Sequence, residues 1–311
     1  MPAVQIFIAT HNRPILVMNA LQSAFNQDFG SFEVIVSDNS TNDETEEKIK
    51  HLVNNKLVYK RRIPVLTPSD HFNAILQDVT SDFFMIFHDD DVMYSNMVSR
   101  LYENITANKD LIAVGANAKI ITPCIFPKRI MLKNKNRDLI VSNRDQMVYQ
   151  YLIKRGIAPF PSYLYSNEVA KKILINPDHG GKHCDVSFLM ELASMRKILM
   201  LIEPLMDYCI NPGQDSKTNE FLHRISLINY ITKTTDHKNN SYLIRRFRIV
   251  NLYYELIQDR KTKSHISGRR RLKILKLIFK VSPFDFFPRA IFHLILDNKG
   301  TTKYLEINLL F

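Results

Sequence analysis

The chain has 311 residues, 45% of them hydrophobic and 23% charged, which excludes a disordered chain and fits one large domain with an extension or two modest domains. Its three cysteines (Cys124, Cys184, Cys209) are odd in number and form no CxxC pair, which argues against a disulfide framework or structural zinc and suits a reducing compartment. The net charge of +11 is uneven: residues 1–216 carry 23 Lys/Arg against 24 Asp/Glu, and residues 217–311 carry 19 against 7, so the last third is expected to meet something anionic.

Met1 to Thr10 has neither a basic leader nor a cleavage-like site and reads as a first strand, Val4 to Ala9, rather than a signal peptide. No run approaches the roughly 18–20 apolar residues of a spanning helix. Pro14 suits the first turn of a helix whose apolar face holds Leu16, Ala20, Leu21 and Ala24. Phe32 to Ser37 is a second strand closing on Asp38-Asn39-Ser40-Thr41-Asn42-Asp43, turn and cap chemistry for a helix over Glu44 to Leu52. A third strand over Leu57 to Arg61 and a helix over His71 to Val79 follow. Asp82 to Phe87 is a fourth, buried strand that delivers the chain to His88-Asp89-Asp90-Asp91. Further on come a strand over Leu111 to Ile121, an amphipathic helix over Asp185 to Met195, and a strand over Ile198 to Ile202 leading into Glu203-Pro204-Leu205. Strands alternating with helices predict an α/β fold, a mostly parallel sheet sandwiched by helices, with ligands at the carboxyl ends of the strands. Clusters 10–13, 38–43 and 88–91 all fall at such ends.

Three consecutive aspartates raise one another's pKa unless a cation neutralises them, and hard carboxylate oxygens suit Mg²⁺ or Mn²⁺ bridging a diphosphate. The alternative is a solvated acidic turn, which a strand as apolar as Phe83 to Phe87 disfavours. Asp38 is either a helix N-cap or a hydrogen-bonding partner for a base or ribose. His11 is either a surface turn residue or a flat ring for stacking on a nucleobase. Asp185 is either an N-cap or a general base at a helix start.

Ile8-Ala9-Thr10-His11-Asn12-Arg13-Pro14, Val36-Ser37-Asp38-Asn39-Ser40 and Phe87-His88-Asp89-Asp90-Asp91 resemble the successive signatures of the family 2 glycosyltransferases. Cys184-Asp185-Val186-Ser187-Phe188-Leu189-Met190-Glu191-Leu192-Ala193 is similar to that family's Glu-Asp element. Glu203-Pro204-Leu205 and Tyr208 to Ser216 continue the likeness. His11 replaces an aromatic, Asn39 replaces a Gly, His88 stands where the first Asp of the Asp-x-Asp element often does, and Cys184 replaces a Glu. Asn211 falls where the family has a histidine that contacts phosphate or metal.

The resemblance covers about residues 3–216. It implies a GT-A fold and inverting transfer of a sugar from a nucleotide-sugar donor, a UDP-sugar, with Mn²⁺ or Mg²⁺ as cofactor. Thr10, His11, Asn12, Arg13, Asp38, Asn73 and Asp89 are then the donor-binding residues, Asp90 and Asp91 the metal ligands and Asp185 the catalytic base. The expected domains are 1–216, with a donor half to about 120 and an acceptor half from 121, and a basic helical extension over 217–311. Pro123 to Asn143 carries no readable specificity code.

In the extension, Arg245-Arg246-Phe247-Arg248, Arg260 to Lys263 and Arg269 to Lys280 are basic. Wound as a helix, Arg269, Lys273, Lys276 and Lys280 share one face, opposite Leu275, Ile278 and Phe279. One reading is a helical cap on the catalytic domain. The other is attachment of residues 245–280 and their surroundings to an anionic membrane, each basic residue contributing on the order of 1 kcal/mol. Nucleic acid is not the expected partner, because the aromatics cluster with aliphatics. The sequence thus predicts a cytoplasmic enzyme, peripheral on the inner membrane face, extending a glycan or lipid-linked acceptor in bacterial surface polysaccharide synthesis. The rivals are a nucleotidyltransferase, against which the glycine-free loop Thr10 to Pro14 speaks, and a non-catalytic membrane- or RNA-binding protein on a degenerate transferase fold.

Overall fold

The computed structural model describes residues 1–122, 129–132, 136–154, 156–210, 221–237, 241–249, 251–252 and 268–281. Residues 211–216, most of Pro123 to Lys135, Arg260 to Lys263 and the apolar segment after Pro283 therefore lie outside the description, and with them the expectations placed there. The chain divides into two compact units, Met1–Thr218 and Asn219–Phe311.

In the first unit, β1 (Val4–Thr10), β2 (Phe32–Asp38), β3 (Leu57–Arg61) and β4 (Phe83–His88) lie parallel in the order β3-β2-β1-β4. Ile6 and Ile8 of β1 join Val34, Val36, Met85 and Phe87 in one core, closed by Val17, Ala20, Leu21 and Ala24 of helix α1 (Leu16–Phe25). Phe7, Ile35, Phe84 and Ile86 alternate with them and are equally buried. Both sheet faces are covered, as a parallel sheet requires. Helix α2 (Glu44–Ile49) is shorter than its acidic run suggests. Helix α3 (Pro68–Asp78) begins three residues before the expected start, because Thr67 caps it by accepting from Asp70 N–H and Pro68 preorganises its first turn.

Beyond β4 the sheet becomes mixed. Its remaining strands are β5 (Val92–Met93), β6 (Leu111–Ile121), β7 (Arg129–Ile130), β8 (Leu139–Val141), β9 (Leu164–Ser166) and β10 (Lys197–Cys209). Strand β9 runs antiparallel between β4 and β6, and β10 lies parallel to β6. Strand β10 does not stop at Ile202: it continues through Pro204 to Cys209, with register shifts on both sides of Pro204. A bulge is where a strand tolerates a residue that lacks an N–H. The short β5 pairs antiparallel with Met206 and Asp207, which folds the turn after β4 against the end of β10. Helices α4 (Met97–Ala107), α5 (Arg144–Lys154), α6 (Asn167–Lys172) and α7 (Cys184–Met195) complete this unit.

The second unit contains helix α8 (Phe221–Thr234) and a helix over Gly268–Val281. In the latter the buried stripe is Ile274 and Ile278, one turn apart, while Phe279 is exposed together with Leu272 and Leu277. The expected apolar face is thus displaced from Leu275 and Phe279. Among the described residues no helix is long and apolar enough to cross a membrane.

Candidate active site

The strand register pairs Thr10 with Asp38 and Ala9 with His88, so the three polar clusters leave neighbouring strands at one edge. Thr10 Oγ1 donates to Asp89 Oδ2 at 2.7 Å, and Arg13 Nη1 donates to Asp89 Oδ1 at 3.1 Å and Asp90 Oδ2 at 3.4 Å. Asn12 takes the left-handed conformation, φ 54°, which Asn tolerates better than most residues. That turn aims its N–H at Ser40 Oγ, 2.7 Å away, and lets its Oδ1 accept from Thr41 N–H at 2.8 Å. The exposed His11 ring donates from Nδ1 to the Asn39 carbonyl at 2.7 Å; Nε2 is then the acceptor for Asn12 Nδ2 at 3.3 Å. The first two loops therefore brace each other.

Asp38 is fully buried. Its Oδ1 accepts from the Ser40 N–H at 2.9 Å and from the Ser40 hydroxyl; its Oδ2 accepts from Tyr59 Oη at 2.7 Å and Arg61 Nη1 at 3.3 Å. The N-cap position of α2 belongs to Asp43, which makes no side-chain cap bond and instead faces Arg61 at 3.4 Å. Asp38 is thus the internal brace of the β2 turn. Tyr59 and Arg61 were not predicted, although their i,i+2 spacing on β3 puts both on one face. Asn73 uses its whole amide on one residue: Nδ2 donates to the Ile175 carbonyl at 3.0 Å and Oδ1 accepts from the Ile175 N–H at 2.8 Å.

Asp89 is buried, and burial raises its pKa against the opposing pull of Thr10 and Arg13. Asp91 is 1% exposed; its Oδ1 accepts from Cys209 N–H at 2.9 Å and its Oδ2 has no hydrogen-bond partner among the described residues. Burial pushes Asp91 up to about 8. His88 Nδ1 lies 3.9 Å from that Oδ2, and the imidazole packs against the paired rings of Phe72 and Phe160, with centroids 6.1 and 6.0 Å away. Burial lowers the His88 pKa. One ligand atom each from His88, Asp90 and Asp91 falls within a 4.8 Å span. A divalent cation fits this set: the donors are hard oxygens with one imidazole, and the Asp91 oxygen without a partner among the described residues lies 3.9 Å from that imidazole. The sequence reading had Asp90 and Asp91 but not His88, whose place at the end of β4 beside the aspartates was the available signal.

Asp185 lies in the first turn of α7, whose N-cap is His183. Its Oδ1 is buried and without a hydrogen-bond partner among the described residues. Burial raises its pKa, opposed by the charge of His183. Tyr208, near the end of β10, joins the two carboxylate groups: burial raises its pKa, and the charges of Asp91, Asp185 and Asp90 raise it further. Asp185 and the aspartate turn therefore act on one phenol. Asn211, three residues on, is outside the described residues.

A sheet with parallel β3-β2-β1-β4, carboxylates at the strand ends and a mixed second half is the plan of a nucleotide-sugar transferase of the GT-A kind. Residues 5–166 match the family described as Glycosyl transferase family 2, and the chain belongs to that family. Over 161 residues it is 27% identical to a GalNAc(5)-diNAcBac-PP-undecaprenol beta-1,3-glucosyltransferase of Campylobacter jejuni, a match covering 49% of each protein. The matched region thus spans about half the length of that relative. Among solved structures it is similar to S. aureus TarS 1-349 in complex with UDP (TM-score 0.60, 16% identity, 91% of this chain and 82% of that one). It is also similar to a mannosyltransferase of Pyrobaculum calidifontis in complex with GDP-Man and Mn²⁺ (TM-score 0.59, 13% identity, 94% and 85%). At such identities these two likenesses establish the fold.

Proposed function

We propose that this chain is a glycosyltransferase that moves a sugar from a nucleoside diphosphate donor, a UDP-sugar, to a glycan or lipid-linked acceptor by single displacement with inversion, in bacterial surface polysaccharide synthesis. The observation that carries the reading is the turn His88 to Asp91, held by Thr10 and Arg13 from β1 and the loop after it and by Cys209 from β10, with one buried carboxylate oxygen left unpaired among the described residues. His88, Asp90 and Asp91 would hold Mn²⁺ or Mg²⁺. When bound, the cation supplies positive charge for the departing diphosphate.

The chain's own residues supply the rest. Arg13 orients Asp89 and Asp90 and adds a positive charge beside them. The exposed His11 ring, fixed by Asn39, is a surface for the base. Asp38 acts on the donor through the turn it braces. Asp185 takes the proton of the acceptor hydroxyl while that oxygen bonds to the anomeric carbon. The bond from that carbon to the diphosphate oxygen breaks, and its electron pair leaves with the nucleoside diphosphate. A raised pKa brings Asp185 nearer to that of a base working close to neutrality.

A lipid-linked acceptor is supported by the partial relative from Campylobacter, whose name specifies an undecaprenol-linked substrate. The basic second unit, with Leu272, Leu277 and Phe279 exposed beside Lys276, supports peripheral attachment to an anionic membrane. The decisive experiment is a nucleotide-sugar panel read by thermal shift and turnover, with and without Mn²⁺. Asp90→Ala is expected to abolish Mn²⁺-dependent donor binding, and Asp185→Asn to keep donor binding and lose turnover. Normal turnover in either variant would overturn that residue's role.

A further inference from the structure

We infer that Tyr163 and Tyr165 are positioning residues for the Asp185 carboxylate, their hydroxyls reaching its inner oxygen through one shared ordered water. The inference rests on the reading of Asp185 as the base, but the observations behind it are structural. Both tyrosines are among the largest fully buried side chains in the protein, each at 0% exposure. The Tyr165 hydroxyl and Asp185 Oδ1 are buried without a hydrogen-bond partner among the described residues, and the Tyr163 hydroxyl has at most a loose contact with the Ala158 backbone. The two rings stack with centroids 5.8 Å apart at 21°. Tyr165 also meets Phe188 edge-on at 5.8 Å, and Phe188 is three residues after Asp185 on α7. Residues i and i+3 share a helix face, so the phenols lie under the face of α7 that carries Asp185. The Asp185 charge is felt at both hydroxyls, raising the pKa of each beyond what burial does, with the Ala158 backbone opposing the rise at Tyr163.

Buried polar atoms left short of partners on two packed elements demand a physical reason. Each buried, unpaired group costs a sizeable part of a domain's net stability. Phenylalanine would fill the same space without that cost. The sheet has moreover made room for one of these rings: a Cβ on Gly115 of β6 would overlap the Tyr163 ring. A water with two phenols and a carboxylate around it has the three partners that buried waters typically make. Held so, the inner oxygen of Asp185 is fixed, and the other, which the backbone N–H groups of Asp185 and Val186 favour in its charged form, takes the acceptor proton. The titratable groups around Asp185 are His183 and Cys184 from its own segment, Tyr163 and Tyr165 from the β9 segment, and Tyr208 from β10.

The test uses the full chain with Tyr163→Phe, Tyr165→Phe and Asp185→Asn, singly and with Tyr165→Phe combined with Asp185→Asn. Loss of the bridged hydroxyls should lower Tm, and the combined variant should be non-additive in Tm. If transfer is assayable, donor KM should stay within about twofold while the acid limb of kcat moves to higher pH, since a carboxylate stripped of donors is harder to ionise. A rise in Tm in both Tyr→Phe variants would mean that the hydroxyls are dry and unpaired, and would overturn the proposal, as would additivity in the combined variant. Absence of any sugar transfer in the wild type would sink the proposed activity instead, and the Tm measurements would still decide this one.

Discussion

The N–H of Cys209 donates to Asp91 Oδ1 at 2.9 Å across 118 residues of sequence, tying the aspartate turn to the far end of β10. The other oxygen of Asp91 has no such partner among the described residues. Asp91→Asn keeps an oxygen for Cys209 and removes a carboxyl that burial, pushing it up to about 8, makes costly to ionise. It should raise the Tm of the metal-free protein, by a few degrees if the gain is about 1 kcal/mol, and should abolish the stabilisation that Mn²⁺ gives the wild type. A thermal shift series with and without Mn²⁺ reads both. An unchanged Mn²⁺ effect in the variant would remove Asp91 from the cation site.

Arg13 serves two carboxylates with one nitrogen. Its side chain is 33% exposed, but the two carboxylates are only 4% and 6% exposed. Arg13→Ala leaves them without their cation and should lower Tm. It should weaken nucleoside diphosphate binding roughly tenfold, the factor that corresponds to about 1.4 kcal/mol of lost binding energy. Calorimetric titration with UDP and Mn²⁺ measures it, and affinity within twofold of wild type would show that the residue only braces the turn.

Stability should also fall in acid for a reason that lies outside the aspartate turn. His71 is 5% exposed, and burial, aided by the Arg62 charge, lowers its pKa to about 4. Its Nε2 meets Ser37 Oγ at 2.8 Å, and that oxygen accepts from Arg62 Nε at 2.9 Å. The folded state keeps His71 neutral while the unfolded chain takes up its proton below about 6.5. Stability is therefore whole above 6.5 and is lost progressively as pH falls towards 4, by on the order of 3 kcal/mol in all. Urea unfolding at pH 7.5, 6 and 5 should show this decline, and His71→Gln should flatten the part due to this residue. An equal slope in the variant would assign the loss to other groups.

What the sequence revealed and what it hid follow from the range of the interactions. The strands β1 to β4 and the three clusters at their ends were legible because alternation, turn residues and apolar runs are local. The termination of α2 and the passage of β10 through Pro204 were not, because pairing with β6 decides the latter. The same holds for side chains. Thr10, Arg13 and Asp89 are brought together as the motif order implied. The partners of Asp38 come from β3 as well as its own turn, that of Asp91 from β10, and the ring that Phe188 of α7 meets from β9. Contacts across the sheet are created only by folding. A sequence reading names the residue types that chemistry needs, while the sheet chooses their neighbours.

Asn73 shows the consequence most sharply. The sequence placed it among the donor-binding residues, yet its amide closes two hydrogen bonds with Ile175, 102 residues away. It thereby holds the segment that follows α6 and precedes α7, where Asp185 sits. Asn73→Ala would leave the Ile175 N–H and C=O short of partners, at a cost of about 1–3 kcal/mol, which in a unit of this size corresponds to a Tm lower by several degrees. UDP affinity should remain within about twofold, because the amide is engaged with Ile175, while kcat should fall as the start of α7 loosens. Asn73→Asp retains the acceptor for the Ile175 N–H and loses the donor, so its Tm should lie between those of the alanine variant and the wild type. A large loss of UDP affinity with unchanged Tm would instead return Asn73 to the donor site.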